Sequence, residues 1–161
     1  MYFRDIIMKS GEELELMVYN VKDIAAYIVD YSIENGCPVS NLKLQKLLYY
    51  VQAYFLVTKS EPCFREDIEH WRHGPVVREV YSQYKMYFDD KITKSNGFNG
   101  LGSYDKKLID KVIDSYETYG PWDMVRKTHE EEPWVNTNSD DVIDKKEIKK
   151  YFNKHKSYIL G

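Results

Sequence analysis

The chain has 161 residues, of which 43% are apolar, and its formal net charge is −3. This length and composition are typical of one ordinary globular domain and exclude a disordered chain. The acidic balance removes the general electrostatic argument for nucleic-acid binding, although a local basic patch could still suffice.

The sequence also indicates where the protein works. Cys37 and Cys63 are the two cysteines, and they form no CxxC motif. This usage is typical of a reducing compartment and argues against structural zinc. No stretch approaches the ~20 apolar residues of a membrane span, and residues 1–20 lack the apolar core of a signal peptide. We therefore expect a cytoplasmic protein.

Two helices are predicted first along the chain. Residues 21–35 form the first helix, with Asn20 as its N-cap and Gly36 as its stop. Residues 41–59 form the second helix, which follows the cap Ser40. A continuous apolar stripe predicts that this second helix lies at the centre of the core. The stripe consists of Leu44, Leu47, Leu48, Val51, Tyr54 and Phe55.

Helical periodicity is then lost, and we expect irregular chain with a short β-hairpin in residues 64–73. Pro75 suits the first position of a third helix, where its missing N–H is harmless. This helix is expected to present one apolar face, made of Val77, Val80, Tyr81, Tyr84 and Phe88. Residues 90–103 contain two Asn-Gly pairs, which predict a mobile loop or a second hairpin.

Three more helices are predicted after this segment. Residues 104–119 form the fourth helix with Ser103 as its cap, and residues 121–129 form a short fifth. The sixth begins at Asp144. The predicted fold is therefore mainly α, a compact bundle of about six helices with short hairpins.

The start of the chain is expected to lie outside the helical domain. We expect residues 1–20 to form an N-terminal extension and residues 21–161 to form the helical domain. Residues 1–16 hold few strongly apolar side chains, too few for a core of their own, so their removal should not lower stability. These side chains are Ile6, Ile7, Leu14 and Leu16. A natural start at Met8 or Met17 is an open alternative.

A search for catalytic chemistry finds no phosphate-binding loop, no GxSxG, no HExxH and no dinucleotide-binding glycine pattern. We therefore expect no catalytic residue, no cofactor and no metal. Two alternatives stay open. One is a metal site built from His70, His73 and Glu131, or a small enzyme that uses His73, His129 and nearby carboxylates. The other is Cys63 acting as a nucleophile beside a histidine.

DNA binding is a further alternative, because the first two helices could pass for a helix-turn-helix. The second would then be the recognition helix, with Lys43, Gln45 and Lys46 reaching into a groove. The apolar stripe and the overall charge both argue against this interpretation.

Two Trp-centred turns are unusual. One is the segment from Trp71 to Pro75, where Gly74 and Pro75 fix a sharp turn. The other runs from Thr128 to Trp134. Each Trp could simply fill a gap between helices, or the two turns could build a recognition surface, and these interpretations are compatible.

The motifs in chain order resemble a known pattern. Residues 42–50 read LKLQKLLYY, residues 71–77 read WRHGPVV, and residues 128–134 read THEEEPW. Together they resemble the Panacea, or SocA-like, antitoxin family, also known as phage-associated GepA-like, over residues 21–152. Arg78 departs from the pattern, since proline is frequent there.

The resemblance implies an antitoxin without catalytic residues that neutralises a cognate toxin protein. The family's founding member is an adaptor that delivers its toxin to a cytoplasmic protease, so a protease is a second expected partner. We expect the two Trp turns to cluster in space, and Arg78 and Tyr87 to face solvent. The candidate partner-binding or motif residues are Gln45, Tyr49, Trp71, His73, Gly74, Pro75, Arg78, Tyr87, His129, Pro133 and Trp134.

Overall fold

The computed structural model describes residues 6–9, 13–16 and 18–161, the first two ranges by their backbone alone. These residues form a mainly α fold with short hairpins, as predicted. The elements are β1 Ile6–Lys9, β2 Glu13–Leu16, α1 Val21–Glu34, α2 Asn41–Lys59, β3 Glu69–Trp71, β4 Gly74–Val76, α3 Arg78–Tyr84, α4 Ser103–Ser115, α5 Pro121–Thr128, α6 Glu132–Val135 and α7 Lys145–Lys154, with 3₁₀ turns at Lys85–Tyr87 and Lys156–Tyr158. Within this described part, no helix combines the length and apolar character needed to cross a membrane.

The α2 helix lies at the centre of the fold. It packs against α1, α3, α4, α5 and α7, and buried residues lie on every side of it. The apolar stripe is fully buried apart from Tyr54, which is half-buried. Burying each such side chain stabilises the fold by about 1.5–3 kcal/mol, so the predicted core helix is confirmed.

Local capping signals set the starts of the long helices. The Asn20 side chain accepts a hydrogen bond from the backbone N–H of Lys22 at 2.9 Å. Ser40 accepts one from the backbone N–H of Lys43 at 3.2 Å. Asp144 caps α7 in the same way, so it precedes that helix instead of beginning it. Side-chain capping of this kind satisfies the N–H groups left free in the first turn.

Pro75 lies in a strand and not at the start of a helix, which corrects the sequence prediction. The strands β3 and β4 pair antiparallel, so the hairpin spans residues 69–76 instead of 64–73. Proline is tolerated in an edge strand, where no neighbouring strand requires its N–H. The third helix therefore starts three residues late, at Arg78.

The apolar face of α3 is narrower than predicted. Val77, Val80 and Tyr84 are buried, whereas Tyr81 and Phe88 are exposed. The 3₁₀ turn that follows α3 breaks the helical spacing, so Phe88 no longer falls on the inner face. This exposure becomes important at the site described below.

Residues 90–102 form a loop, and the second hairpin offered as an alternative for residues 90–103 is absent there. A single bridge joins Lys91 to Ser40, and the Ile92 N–H donates to the Val39 carbonyl at 2.8 Å. Ile92 is buried, and Phe98 packs edge-on against Tyr27 with ring centroids 5.5 Å apart. Apolar anchors therefore hold this loop against the body.

The fourth helix is shorter than predicted. It begins with Ser103 inside the helix, after the cap position at Gly102, and it ends at Ser115. The Lys43 ammonium donates to the carbonyls of Tyr116 and Tyr119, both at 2.7 Å. A cation close to the carbonyls at the C-terminal end of a helix stabilises that end.

The strands β1 and β2 pair antiparallel, with Ile6 opposite Leu16. The side chains of this segment lie outside the described residues, as does Met17. The N-terminal extension, its dispensability and the alternative starts therefore stay predictions.

Candidate partner-binding site

The two Trp-centred turns lie side by side, although 63 residues separate them in the chain. The Trp134 indole N–H donates to the Trp71 carbonyl at 3.1 Å. The imidazoles of His70 and His129 each stack on the Trp134 indole, with ring centroids 4.0 Å apart in both cases. The predicted clustering of the two turns is confirmed.

Two polar side chains of α2 hold the outer edge of β4. The Lys46 ammonium donates to the Pro75 carbonyl at 2.9 Å. The Gln45 amide oxygen accepts from the Val77 N–H at 2.9 Å. Lys46 and Gln45 are both buried, where an unpaired polar group would be costly. We call this pair of contacts the α2 latch, and it joins the LQK part of the motif to the HGPVV part.

Gly74 is required where the latch meets the hairpin turn. Its φ is +104°, in a region that L side chains rarely adopt. A Cβ there would lie 2.6 Å from Lys46 Cε and 2.8 Å from Thr128 Oγ1. The turn can therefore pack onto α2 and α5 only if this position has no side chain.

Buried charges surround the latch. Burial lowers the pKa of Lys46 to about 7 and raises the pKa of Glu131 to about 7. Glu131 accepts from the Tyr50 hydroxyl at 2.9 Å and pairs with Lys127 at 3.1 Å. Burial, and then the charge of Lys46, lowers the pKa of His129. These groups join α5 and the start of α6 to α2.

A groove of about 740 Å³ opens beside the hairpin, bounded by the start of α2, the β3–β4 turn, α3 and the first turn of α5. Its large apolar side chains are Trp71, Tyr81, Met86, Phe88 and Trp122. Its charged and titratable side chains are Arg72, His73, Lys85 and Asp89. Apolar walls with a few polar groups on the rim are typical of a recognition site.

The indole of Trp71 is held rigidly in the wall of this groove. Its N–H donates to Glu69 at 3.0 Å, and Glu69 also pairs with Arg78 at 2.8 Å. The Arg78 guanidinium lies 5.5 Å from the indole centroid, and the Tyr81 ring lies edge-on at 5.0 Å. Because its neighbours already fix it, Trp71 would lose little side-chain freedom on binding a partner.

The rims of the groove expose large apolar side chains to solvent. Phe88 is 82% exposed, Met86 is 69% exposed and Trp122 is 52% exposed. His73 packs edge-on against Trp122, with ring centroids 4.9 Å apart. Exposed apolar side chains that share one groove are typical of interaction surfaces.

Phe88 is also strained. Its φ of +51° and ψ of −121° lie where non-glycine residues rarely occur, at a cost of about 1–3 kcal/mol. The conformation is held from both sides. The Phe88 N–H donates to the Lys85 carbonyl at 3.1 Å, and the buried Ile92 fixes the chain beyond it. Strain that keeps an apolar ring in solvent points to a function for that ring.

Comparison with known protein families identifies a sequence match that covers this region. The sequence profile of the SocA-like antitoxins, Panacea domain, matches residues 44–135. This match covers more than half of the chain and includes the whole α2 latch and most of the groove. The chain belongs to the SocA-like antitoxin family.

A curated relative supports the assignment. Antitoxin SocA of Caulobacter vibrioides (strain NA1000 / CB15N) is 33% identical over 86 residues, which is 51% of this chain and 46% of that protein. The match thus spans about half the length of this relative. Comparison with solved structures finds no significant match.

Most of the motif residues of this SocA-like chain are buried or half-buried. Gln45, Tyr49, Gly74, Pro75 and Pro133 are buried. His129 and Trp134 are half-buried in the stacked cluster, and neither is among the groove-lining residues.

Of the two residues predicted to face solvent, one is exposed and the other is not. Arg78 and His73 are exposed, and Trp71 is half-buried with its ring in the groove wall. Tyr87, which was expected to face solvent, instead packs against the core beside Tyr84, with ring centroids 6.4 Å apart. The 3₁₀ turn rotates Tyr87 inward, which corrects that prediction.

Sequence reasoning missed much of the groove. Trp122, Met86, Phe88, Arg72 and Lys85 were absent from the candidates. The exposure of Trp122 could have been predicted from its helical position. It follows the proline that begins α5 and does not lie on the buried face, which is formed by Met124, Val125 and Thr128. No local signal distinguishes Phe88 from an inward aromatic residue.

The structure contradicts the helix-turn-helix interpretation. Gln45 and Lys46, which would have read the DNA, are buried in the latch. Lys43 is engaged with the carbonyls after α4.

The enzyme and metal alternatives gain no support. Cys63 is buried, so it is closed to a substrate. Among the residues that the structure describes, no three His, Cys, Asp or Glu side chains are grouped to hold a metal.

Proposed function

We propose that this protein is an antitoxin that binds a cognate toxin protein and neutralises it by direct contact at the groove. Family membership supports the antitoxin role. The observation that carries the location is the exposure of Phe88, Met86 and Trp122 around one groove. Such a surface is covered when a partner binds.

The composition of the groove fits protein recognition. Binding energy at interfaces concentrates in a few Trp, Tyr and Arg residues at well-packed positions. Trp71, Tyr81 and Arg72 supply these residue types within one groove. The buried titratable groups Lys46 and Glu131 do not line the groove, so we propose action by binding and not by catalysis.

Co-expression tests the proposal. The protein is produced together with the product of each neighbouring reading frame, and rescue of growth identifies the toxin. Trp122→Ser and Met86→Ser should each weaken binding by about 2 kcal/mol or more, because each removes an apolar anchor. Titration calorimetry with the purified toxin measures this loss.

The matched control is Tyr104→Ser. Tyr104 is 47% exposed and is not among the groove-lining residues, so its loss should leave rescue intact. A thermal melt accompanies each variant to separate loss of binding from unfolding. Full rescue by folded groove variants would place the contact elsewhere, and the lack of any toxic neighbouring product would remove the antitoxin role itself.

The resemblance also implies a role as an adaptor for a cytoplasmic protease. Measuring the half-life of the toxin in cells tests this role. Delivery to a protease predicts that co-expression shortens the half-life of the toxin in proteolytically active cells. An unchanged half-life with full rescue would mean that occlusion alone neutralises the toxin. We propose that either process occurs in the cytoplasm, where the free thiols of Cys37 and Cys63 stay reduced.

A further inference from the structure

We infer that the groove accepts an amphipathic helix of the partner that carries acidic residues beside its apolar side. This inference rests on the proposed function and specifies the chemistry of the partner segment. It follows from the pairing of the hairpin edges, from the arrangement of the apolar anchors and from the charge of the rim.

Strand addition is disfavoured because both outer edges of the β3–β4 hairpin are occupied. On the β4 side, the Pro75 carbonyl and the Val77 N–H are engaged by the α2 latch. On the β3 side, the His70 N–H donates to the Asp141 carbonyl at 2.9 Å, and the His70 carbonyl accepts from the Asp140 N–H at 2.8 Å. A peptide adds to a sheet through free backbone groups, and this hairpin offers none at these positions.

The apolar anchors suit a helix. Met86 and Phe88 lie on one rim, Trp122 lies at the start of α5, and Trp71 and Tyr81 form the wall. A groove of about 740 Å³ has room for several large side chains at once. A helix supplies such a set from one face, at positions i, i+3 or i+4, and i+7.

The rim is more basic than the protein as a whole. It carries Arg72 and Lys85 against Asp89, whereas the chain has a net charge of −3. In the described part of the chain, no carboxylate lies within ion-pair distance of Arg72 or Lys85. Other basic residues do have such partners: Arg78 with Glu69, Arg126 with Asp123, and Lys127 with Glu131. Unpaired cations at a rim favour a partner with complementary acidic residues.

Peptide selection tests the inference even before the toxin is identified. A phage library of random peptides of about 16 residues, roughly four helical turns, is panned against the full chain. A parallel selection uses the triple variant Met86→Ser, Phe88→Ser, Trp122→Ser, whose three sites are all exposed. A thermal melt confirms that this variant is folded.

The expected pool has apolar residues at helical spacing and more Asp and Glu than Lys and Arg. Its dominant peptide, synthesised and measured by fluorescence anisotropy, should lose about tenfold in affinity for the Arg72→Glu, Lys85→Glu variant. Enrichment of basic, alternating or proline-rich peptides would overturn the inference. The same holds for a pool that binds the triple variant equally well or for a failure to enrich any peptide.

Failure of the inference and failure of the proposed function are distinguishable. If groove variants lose growth rescue while the selected peptides are basic, the antitoxin role stands and the partner chemistry is wrong. If acidic helices are selected while every groove variant still rescues growth, the groove binds such segments but does not neutralise the toxin.

Discussion

At the scale of single residues, Phe88 and Lys46 each oppose the stability of the fold. Phe88 keeps an apolar ring in solvent from a strained backbone position. Lys46 places an ammonium group in the core, with a backbone carbonyl as its hydrogen-bond partner. Phe88 lies on the groove rim, where a partner would cover it. Lys46 lies in the latch, where it holds the hairpin that forms the groove wall.

The first prediction concerns Phe88→Gly. Replacing Phe88 by glycine relieves backbone strain of about 1–3 kcal/mol. It also lowers the free energy of unfolding by about 0.5–1 kcal/mol, because glycine has more freedom in the unfolded chain. The variant should therefore melt at the same temperature as the wild type or a few degrees higher, while its toxin affinity falls. Calorimetric melting and binding titration measure the two effects.

Phe88→Ser is the control for this variant, because it removes the ring but keeps a side chain in the strained conformation. It should lose affinity to the same extent without gaining stability. Normal toxin affinity in the glycine variant would show that the phenyl ring is not an anchor.

The second prediction concerns the pH dependence introduced by Lys46. Its pKa is about 7 in the folded protein and 10.5 in the reference state. Between these values the unfolded chain binds a proton that the folded protein lacks, so the stability of the wild type rises with pH. Relative to Lys46→Met, it should rise by up to about 1.4 kcal/mol per pH unit from about pH 7 upward.

Urea unfolding of both proteins at several values above about pH 7.5 measures this difference, and that range avoids the titration of His129. Parallel stability curves for the wild type and Lys46→Met would mean that Lys46 keeps its charge in the folded protein.

At the scale of elements, local signals predicted the helices well and the hairpin less well. Asn20 and Ser40 set the starts of α1 and α2 because capping is a contact within one helical turn. Pro75 carries an equally strong local signal for a helix start. It was misread because the acceptor role of its carbonyl depends on Lys46, 29 residues earlier in the chain. Contacts of that range are not visible in sequence periodicity.

The groove was harder to predict than the elements around it. The Trp turns are visible in the sequence because a Gly-Pro pair closely follows one Trp and a proline precedes the other, yet most of the predicted site residues are buried or half-buried. The rim residues Met86, Phe88 and Trp122 lie outside the three sequence motifs. Their exposure follows from where a 3₁₀ turn ends and from how α5 packs, and both are tertiary properties.

The third prediction compares two glycines. Gly74→Ala should destabilise the protein by about 3 kcal/mol or more, because a strained φ and a close contact with Lys46 and Thr128 add together. Gly36→Ala should lower the free energy of unfolding by only about 1 kcal/mol. Gly36 also has a positive φ, but a Cβ added there would have no atom within 4 Å. Urea unfolding measures both losses, and equal losses would show that packing against the latch is not what requires glycine at position 74.

At the scale of the whole molecule, the latch and the exposed apolar rim of the groove are built from different residues. The motif residues Gln45, Lys46 and Gly74 fix the hairpin on the central helix. The apolar side chains on the rim are then presented to solvent by this rigid support. If the groove binds the toxin as we propose, a change of toxin would alter the rim and leave the latch unchanged, because the two sets share no residue.

The last prediction concerns where the folded body begins. Tyr19 is buried, its hydroxyl donates to Asp105 at 2.7 Å, and its N–H donates to the Cys63 carbonyl at 2.9 Å. The segment before it forms a two-stranded hairpin, and such a hairpin is marginally stable alone. Deleting residues 1–16 should therefore leave the melting temperature nearly unchanged, whereas Tyr19→Ala should lower it clearly. A drop of about 8 °C or more on deletion, well over 1 kcal/mol for a domain of this size, would show that residues 1–16 are docked on the body.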